Sequence, residues 1–148
     1  MVGSTIPVGI ETLPHCFKMP EYQTNGASGL DIYAADNITL RSYESALVAT
    51  GFALAIPEGY EGQIRPRSGW ALKRGITVLN SPGTVDADYR GEVKVLLINL
   101  SMKIQNIDKG DRIAQLVFAP VNRVQFIPAV VVPKDTARGA GGFGSTGQ

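Results

Sequence analysis

Two stretches of the 148-residue chain carry groups suited to holding an anion. Ser68-Gly69-Trp70-Ala71-Leu72-Lys73-Arg74-Gly75 reads as one short helix, with Ser68 at the N-cap, cations in the last turn and Gly75 to stop it. Its start would present free backbone N–H groups beside Arg67, a ready anion site, although the same residues also make an ordinary capped surface helix. The second stretch is the C-terminal tail. Arg138 to Gly147 reads RGAGGFGSTG, half of it glycine, and such a segment forms no packed element by itself. Its spacing matches G-x-G-x-x-G from Gly139 to Gly144, but only four residues follow, so no helix can open there and a dinucleotide fingerprint is rejected. A flexible terminus has the same composition. Between the glycines, however, stand one guanidinium, one aromatic ring and two adjacent hydroxyls. A glycine-rich backbone can wrap N–H groups around phosphate oxygens, and Phe143 can cover a flat base.

Counting residues removes several other chemistries. With one cysteine, Cys16, and one histidine, His15, the chain can form no internal disulfide and no zinc site of the Cys₄ or Cys₂His₂ type. Cys16 reads as a strand or loop residue in a reducing compartment. His15 follows Pro14 with no nucleophile pattern nearby, so a Ser-His-Asp triad lacks support. Net charge is +1 with no run of like charges, which argues against a nucleic-acid surface or a polybasic membrane patch. The N-terminus, MVGSTIPVGIETLP, lacks a basic leader, and no stretch approaches the ~20 apolar residues of a membrane span. The expectation is a soluble cytoplasmic protein with neither nucleic acid nor membrane as partner. Charged residues make up 18% of the chain, below the ~25% of an average soluble domain. Surface buried between subunits would explain that deficit.

The elements that must position these groups are strands. Helical periodicity is almost absent, and 17 glycines and 9 prolines punctuate short β-rich runs. Ala46 to Ile56 precedes the turn Pro57-Glu58-Gly59. Gly91 to Leu100 sets Val93, Val95 and Leu97 on one face and Lys94, Leu96 and Ile98 on the other, as in a strand covered on two sides. Arg112 to Val121 and Val124 to Val132 are two further runs. Their prolines, Pro120 and Pro128, belong at strand ends, edges or bulges. The expected fold is all-β, an antiparallel sandwich or barrel with one short helix. Length implies one domain, over residues 1–137, followed by a tail over 138–148.

Five segments in order resemble the motifs of the trimeric dUTP pyrophosphatases. They are Ala27-Ser-Gly-Leu-Asp-Ile-Tyr-Ala-Ala35, Arg65-Pro-Arg-Ser-Gly-Trp-Ala71, Asn80-Ser-Pro-Gly-Thr-Val-Asp-Ala-Asp-Tyr-Arg-Gly91, Gly110-Asp-Arg-Ile-Ala-Gln115 and the tail. Trp70 stands where the second motif usually has Leu, and Ala140 where the tail commonly has Ser; neither change removes a reactive group. The resemblance implies a homotrimer of distorted jelly rolls that exchange C-terminal arms, each tail closing a site on another subunit. It also implies magnesium-dependent hydrolysis of dUTP to dUMP and pyrophosphate, which keeps uracil out of DNA and supplies dUMP for thymidylate synthesis.

Roles for individual residues follow from the same resemblance. Asp86 matches the carboxylate that orients and deprotonates the attacking water, and otherwise reads as an ordinary turn Asp. Arg67, Ser68, Gln115 and the amides around Gly69 would hold the phosphate chain, with Arg138, Ser145 and Thr146 at its terminal end. Phe143 and Gly144 belong to the tail that closes over the nucleotide. Uracil would meet the hairpin through Gly83, Thr84 and Val85, the Asn80 side chain and the backbone near Lys94, in a slot without space for a thymine methyl. Tyr89 would lie flat beneath the deoxyribose, where a 2′-hydroxyl clashes. Asp31 would hold magnesium through water, the ion sitting mainly on the triphosphate. Two rival functions remain open: a dCTP deaminase of the same fold family, with Glu92 as its base, and a nucleotide-dependent regulatory binding protein.

Overall fold

Strict alternation of buried with less buried positions runs from Glu92 to Asn99, whereas Thr50 to Leu54 are buried without a break. In the computed structural model, which describes residues 5–128 and 131–144, the elements in chain order are β1 (Gly9–Thr12), β2 (Leu30–Tyr33), β3 (Ile38–Leu40), β4 (Ser45–Ala55), β5 (Tyr60–Arg65), α1 (Ser68–Arg74), β6 (Ile76–Val78), β7 (Gly83–Val85), β8 (Glu92–Asn99), β9 (Gln105–Ile107) and β10 (Arg112–Pro120). They form two antiparallel four-stranded sheets, ordered β1-β4-β8-β6 and β2-β10-β5-β7, and a small β3-β9 pair. On β8, Val93, Val95, Leu97 and Asn99 are buried. Lys94 is exposed, and Leu96 and Ile98 are half-buried, so within one chain the second face is covered only in part. The core gathers Val48, Phe52 and Leu54 of β4 with Ile32, Ile64, Val85 and Leu116 of the other sheet. This is the all-β architecture with one short helix expected from the strand pattern, in the jelly-roll form that the resemblance implies.

One buried polar residue ties the ends of the strands together. Asn99 is fully buried. Its amide donates to the carbonyls of Leu40, Arg41 and Lys103 at 3.0, 3.1 and 2.7 Å, and its Oδ1 accepts from the Ser101 amide and hydroxyl at 2.9 and 2.7 Å. Every polar atom is therefore satisfied, as burial demands.

The helix differs from expectation at its start. Arg67, not Ser68, is the N-cap: its extended backbone precedes the helix, and its carbonyl accepts from the amides of Trp70 and Ala71. β5 keeps the chain extended to Arg65, and Gln115 holds the Pro66 carbonyl at 3.0 Å, so the first helical residue is Ser68. No side chain caps the helix, and with two turns its macrodipole is small. Gly75 ends it in the left-handed region, at φ +66. A Cβ there would lie 3.1 Å from the Ser101 amide nitrogen.

A second departure concerns Val124 to Val132. None of its described residues lies in a strand, and Val124, Phe126, Ile127, Val131 and Val132 are exposed. A strand needs a partner edge for its backbone hydrogen bonds, and β-rich composition cannot provide one. Pro120 closes β10, while Pro128 stands outside any strand.

Candidate active site

A cleft of about 330 Å³ opens where the two sheets approach each other. β7 pairs with β5, placing Gly83 opposite Ile64 and Val85 opposite Gly62. The pair is not the local hairpin expected from the sequence, since α1 and β6 separate β5 from β7 and β6 pairs with β8 in the other sheet. Opposite it stand Leu47 of β4 and Glu92, Lys94 and Leu96 of β8. Seven of the residues singled out in the sequence line this one space: Asn80, Gly83, Thr84, Val85, Asp86, Tyr89 and Lys94. A Cβ on Gly83 would lie 3.3 Å from both the Asn80 side-chain nitrogen and Ile64 Cβ, so that these neighbours would have to give by a few tenths of an ångström. Asp86 follows the last residue of β7 and opens the turn closed by the Tyr89 amide, which donates to the Asp86 carbonyl at 3.1 Å. Its carboxylate is exposed, and no described cation pairs with it. It is free to meet a water.

Four lining residues escaped the sequence reading as cleft walls: the apolar Leu47, Ile64, Val93 and Leu96. Apolar residues in β-rich runs carry strand signals and no sign of a cleft. Glu92 entered that reading as a possible general base. In the cleft its Oε1 instead accepts from His15 Nε2 at 2.7 Å and from the Gly51 amide at 2.9 Å, while Oε2 faces Lys94 Nζ at 3.9 Å. Burial pushes this carboxyl up, but the hydrogen bonds from His15 and Gly51 and the Lys94 charge together hold it below the usual range.

A second cluster lies at the far end of the other sheet. Asp31 on β2 is paired through both oxygens, with Arg67 Nε at 3.4 Å and Arg112 at 3.2 Å. Arg67 also donates to the Arg112 carbonyl at 3.1 Å. Gln115 stands in register between Asp31 and Arg65. Its side chain fills the space a Cβ on Gly29 would need, the amide oxygen lying 2.5 Å from that position. Ser68 and Gly69 are exposed at the start of α1. Two guanidiniums against one carboxylate leave a positive excess that suits an anion. Arg112 lay within a quoted motif, yet its pairing with Asp31 depends on β2 and β10 being neighbours, which no local pattern reveals.

The two clusters are separate within one chain. Strands β10 and β5 stand between β2 and β7, a gap of three strand spacings of ~4.8 Å each. Among its described residues the tail meets neither cluster through a side-chain hydrogen bond: Arg138 Nε donates to its own Gly141 carbonyl at 2.9 Å, and Phe143 and Gly144 are exposed. Ser145 and Thr146 lie outside the described residues. No group of three or more metal-ligating side chains occurs among the described residues. The donors fit a magnesium ion that arrives on a polyphosphate, with Asp31 as the nearby carboxylate, and do not fit one caged by protein alone.

A cleft with an exposed carboxylate at its rim and a separate cationic cluster thus stand on one jelly roll. The chain belongs to the dUTPase family, whose sequence profile matches residues 15–147. It is 58% identical over 130 residues to a deoxyuridine 5′-triphosphate nucleotidohydrolase of a Hydrogenobaculum species, covering 87% of this chain and 90% of that one. Against the enzyme of the same name from Wolbachia pipientis wMel it is 52% identical, with both chains covered over their full length. Among solved structures it is similar to a dUTPase of Staphylococcus bacteriophage 80alpha bound to dUpNHpp, with a TM-score of 0.89 and 27% identity over 97% of this chain and all of that one. It is also similar to a dUTPase of S. aureus phage phi11 described with a coordinated structural Mg(II) ion, at a TM-score of 0.76 and 25% identity over 88% of this chain and 99% of that one. Among the described residues, no helix is long and apolar enough to cross a membrane.

Proposed function

We propose that this chain hydrolyses dUTP to dUMP and pyrophosphate, with Asp86 as the base. The observation that carries the assignment is the meeting of Asn80, Asp86 and Tyr89 in one cleft. Hydrolysis of a triphosphate requires charge neutralisation, an in-line water and a stabilised leaving group. Backbone groups of β7 and the Asn80 amide read the uracil edge, with the backbone near Lys94 completing the slot. Tyr89 supports the sugar. Asp86 holds a water against the α-phosphorus and takes its proton as the new P–O bond forms and the bond to pyrophosphate breaks. An ordinary Asp is a weak base, so its effect comes from position as much as from basicity.

Arg67, Ser68, Gly69 and Gln115 serve the phosphate chain, and Asp31 the waters of magnesium. The ion, when bound with the nucleotide, neutralises phosphate charge. These groups act in a homotrimer in which the residue 138–148 tail of another subunit brings Arg138, Phe143, Gly144, Ser145 and Thr146 over the nucleotide. Support for the trimer comes from the separation of the two clusters in one chain, the exposed apolar residues between Val124 and Val132, and an Arg138 side chain that bonds only within its own segment among the described residues. In the cell the product would supply thymidylate synthesis and the reaction would keep uracil out of DNA, in the cytoplasm. The deaminase alternative is weakened because Glu92 is committed to His15 and Gly51.

A nucleotide panel with product analysis tests the reading. dUTP should yield dUMP and pyrophosphate, with dTTP, dCTP and UTP turned over far more slowly. In water carrying heavy oxygen, the label should enter dUMP. Label found only in pyrophosphate would place the attack elsewhere, and ammonia released from dCTP would favour deamination.

A further inference from the structure

The chain's single histidine reaches the wall of the cleft from an N-terminal turn. The Leu13–Cys16 turn is pinned to β4: the Leu13 amide donates to the Gly51 carbonyl at 2.7 Å. Gly51 has φ +76, and a Cβ there would lie 2.4 Å from Cys16 Cα, so turn and strand touch backbone to backbone. From this fixed base His15 Nε2 meets Glu92 Oε1 at 2.7 Å. An ionised carboxylate only accepts, so Nε2 carries the proton. The Gly51 amide donates to the same oxygen at 2.9 Å, so the Glu92 side chain is held from two sides.

Glu92 in turn holds Tyr89. Its backbone carbonyl accepts from the Tyr89 hydroxyl at 2.9 Å. The ring lies against Gly91, where a Cβ would sit 2.5 Å from the hydroxyl oxygen and 2.8 Å from Cζ. Tyr89 is 47% exposed, so packing alone does not set its ring; the hydroxyl bond and the bare Gly91 backbone do. His15 itself is 41% exposed at the side chain and adds little to the core.

We propose that His15 and Gly91 are positioning residues: His15 fixes Glu92, Glu92 and Gly91 fix the Tyr89 ring, and the ring's position sets the preference for 2′-deoxy over 2′-hydroxy nucleotides. The inference rests on the dUTP reading, which gives Tyr89 the sugar.

The test is the ratio of kcat/KM for dUTP over UTP, measured with melting temperature in His15→Ala, His15→Gln, Tyr89→Phe, Gly91→Ala and the His15→Ala/Tyr89→Phe double variant. His15→Ala should lower the ratio about tenfold, and His15→Gln, which keeps an N–H donor at similar reach, should restore most of it. Tyr89→Phe should lower it to a similar degree, with no further loss in the double variant, since both changes cut one chain of contacts. Gly91→Ala should act in the same direction; where it does not fold, the His15 and Tyr89 variants decide alone. A wild-type ratio in His15→Ala, with or without a lower melting temperature, overturns the inference and leaves the dUTP reading intact. Independent losses that add in the double variant also overturn it. A wild-type chain indifferent to the 2′ position overturns the dUTP reading and the inference with it.

Discussion

The base end and the phosphate end of the proposed site are built on different principles. At the base end, Asn80, Gly83 and Asp86 are set by β7 and its turns, with β-ladders on both walls of the cleft. Reading the edge of a flat ring takes donors and acceptors fixed to a fraction of an ångström, and backbone ladders provide that. At the phosphate end, Asp31 balances Arg67 and Arg112 at 3.4 and 3.2 Å, and the tail's Arg138 points back into its own segment. Charge acts over longer distances and tolerates looser placement, so this end can be assembled from separate pieces. In the proposed reading one chain completes the first end and leaves the second open, so that turnover depends on association while base recognition depends on the fold of one subunit.

The strongest challenge to that contrast is Asp86→Asn, which keeps shape and removes the base at the cleft rim. kcat should fall by roughly 10²–10⁴ with little change in nucleotide affinity. Steady-state kinetics beside calorimetric binding would check it, and a near-normal kcat would move the base elsewhere, with Asp31 the next candidate. Ending the chain at Ala137 attacks the other end. The truncated protein should fold and associate yet lose on the order of 10²-fold in turnover, because positioning groups are gone. Refolded together in equal amounts, the two defective chains should recover activity at about a quarter of sites if Asp86 and tail come from different subunits of a closed trimer. Co-purifying mixed trimers that stay inactive would show that each site draws both groups from one chain.

Two smaller effects sharpen the comparison through stability. Asn99→Leu removes all five hydrogen bonds at the end of β8, and leaving its partners unpaired should cost about 3 kcal/mol of stability in denaturant melts. A variant as stable as wild type would mean that water replaces the lost partners. The smallest effect belongs to Glu21, whose backbone bridges Asp31 at the phosphate end. Hydrogen bonds from Lys18, then Tyr33 and Gln23, pull its carboxyl from 4.5 down to about 2. A lowered folded value means that its stabilisation is complete above the unfolded value and is lost as pH falls through the folded one. Glu21→Gln should therefore flatten the stability curve between about 4.5 and 2, slightly because the pair is exposed and salt screens it. Superimposable pH curves for variant and wild type would argue against that contribution.

Local pattern determined much of this molecule before any contact was known. The β-rich run Ala46–Ile56 and the alternation in Gly91–Leu100 marked β4 and β8, Pro57-Glu58-Gly59 marked the turn between β4 and β5, and Gly75 marked the end of α1, because residue type, side-chain period and backbone φ are local properties. The motif residues from Asn80 to Tyr89 could be named for the same reason: they lie on one short segment of chain. Tertiary structure alone decided the pairings across long separations. Asp31 meets Arg112 because β2 and β10 are adjacent, and His15 meets Glu92 because the side-chain-free Gly51, where the β4–β8 register shifts between Ala49 and Ala53, admits the Leu13–Cys16 turn. It also moved the helix cap from Ser68 to Arg67, since Gln115 reaches across from β10 to hold Pro66. Val124–Val132 shows the limit from the other side. Its residues favour a strand, but strand formation needs a second edge at the right distance, and composition cannot say whether one is there.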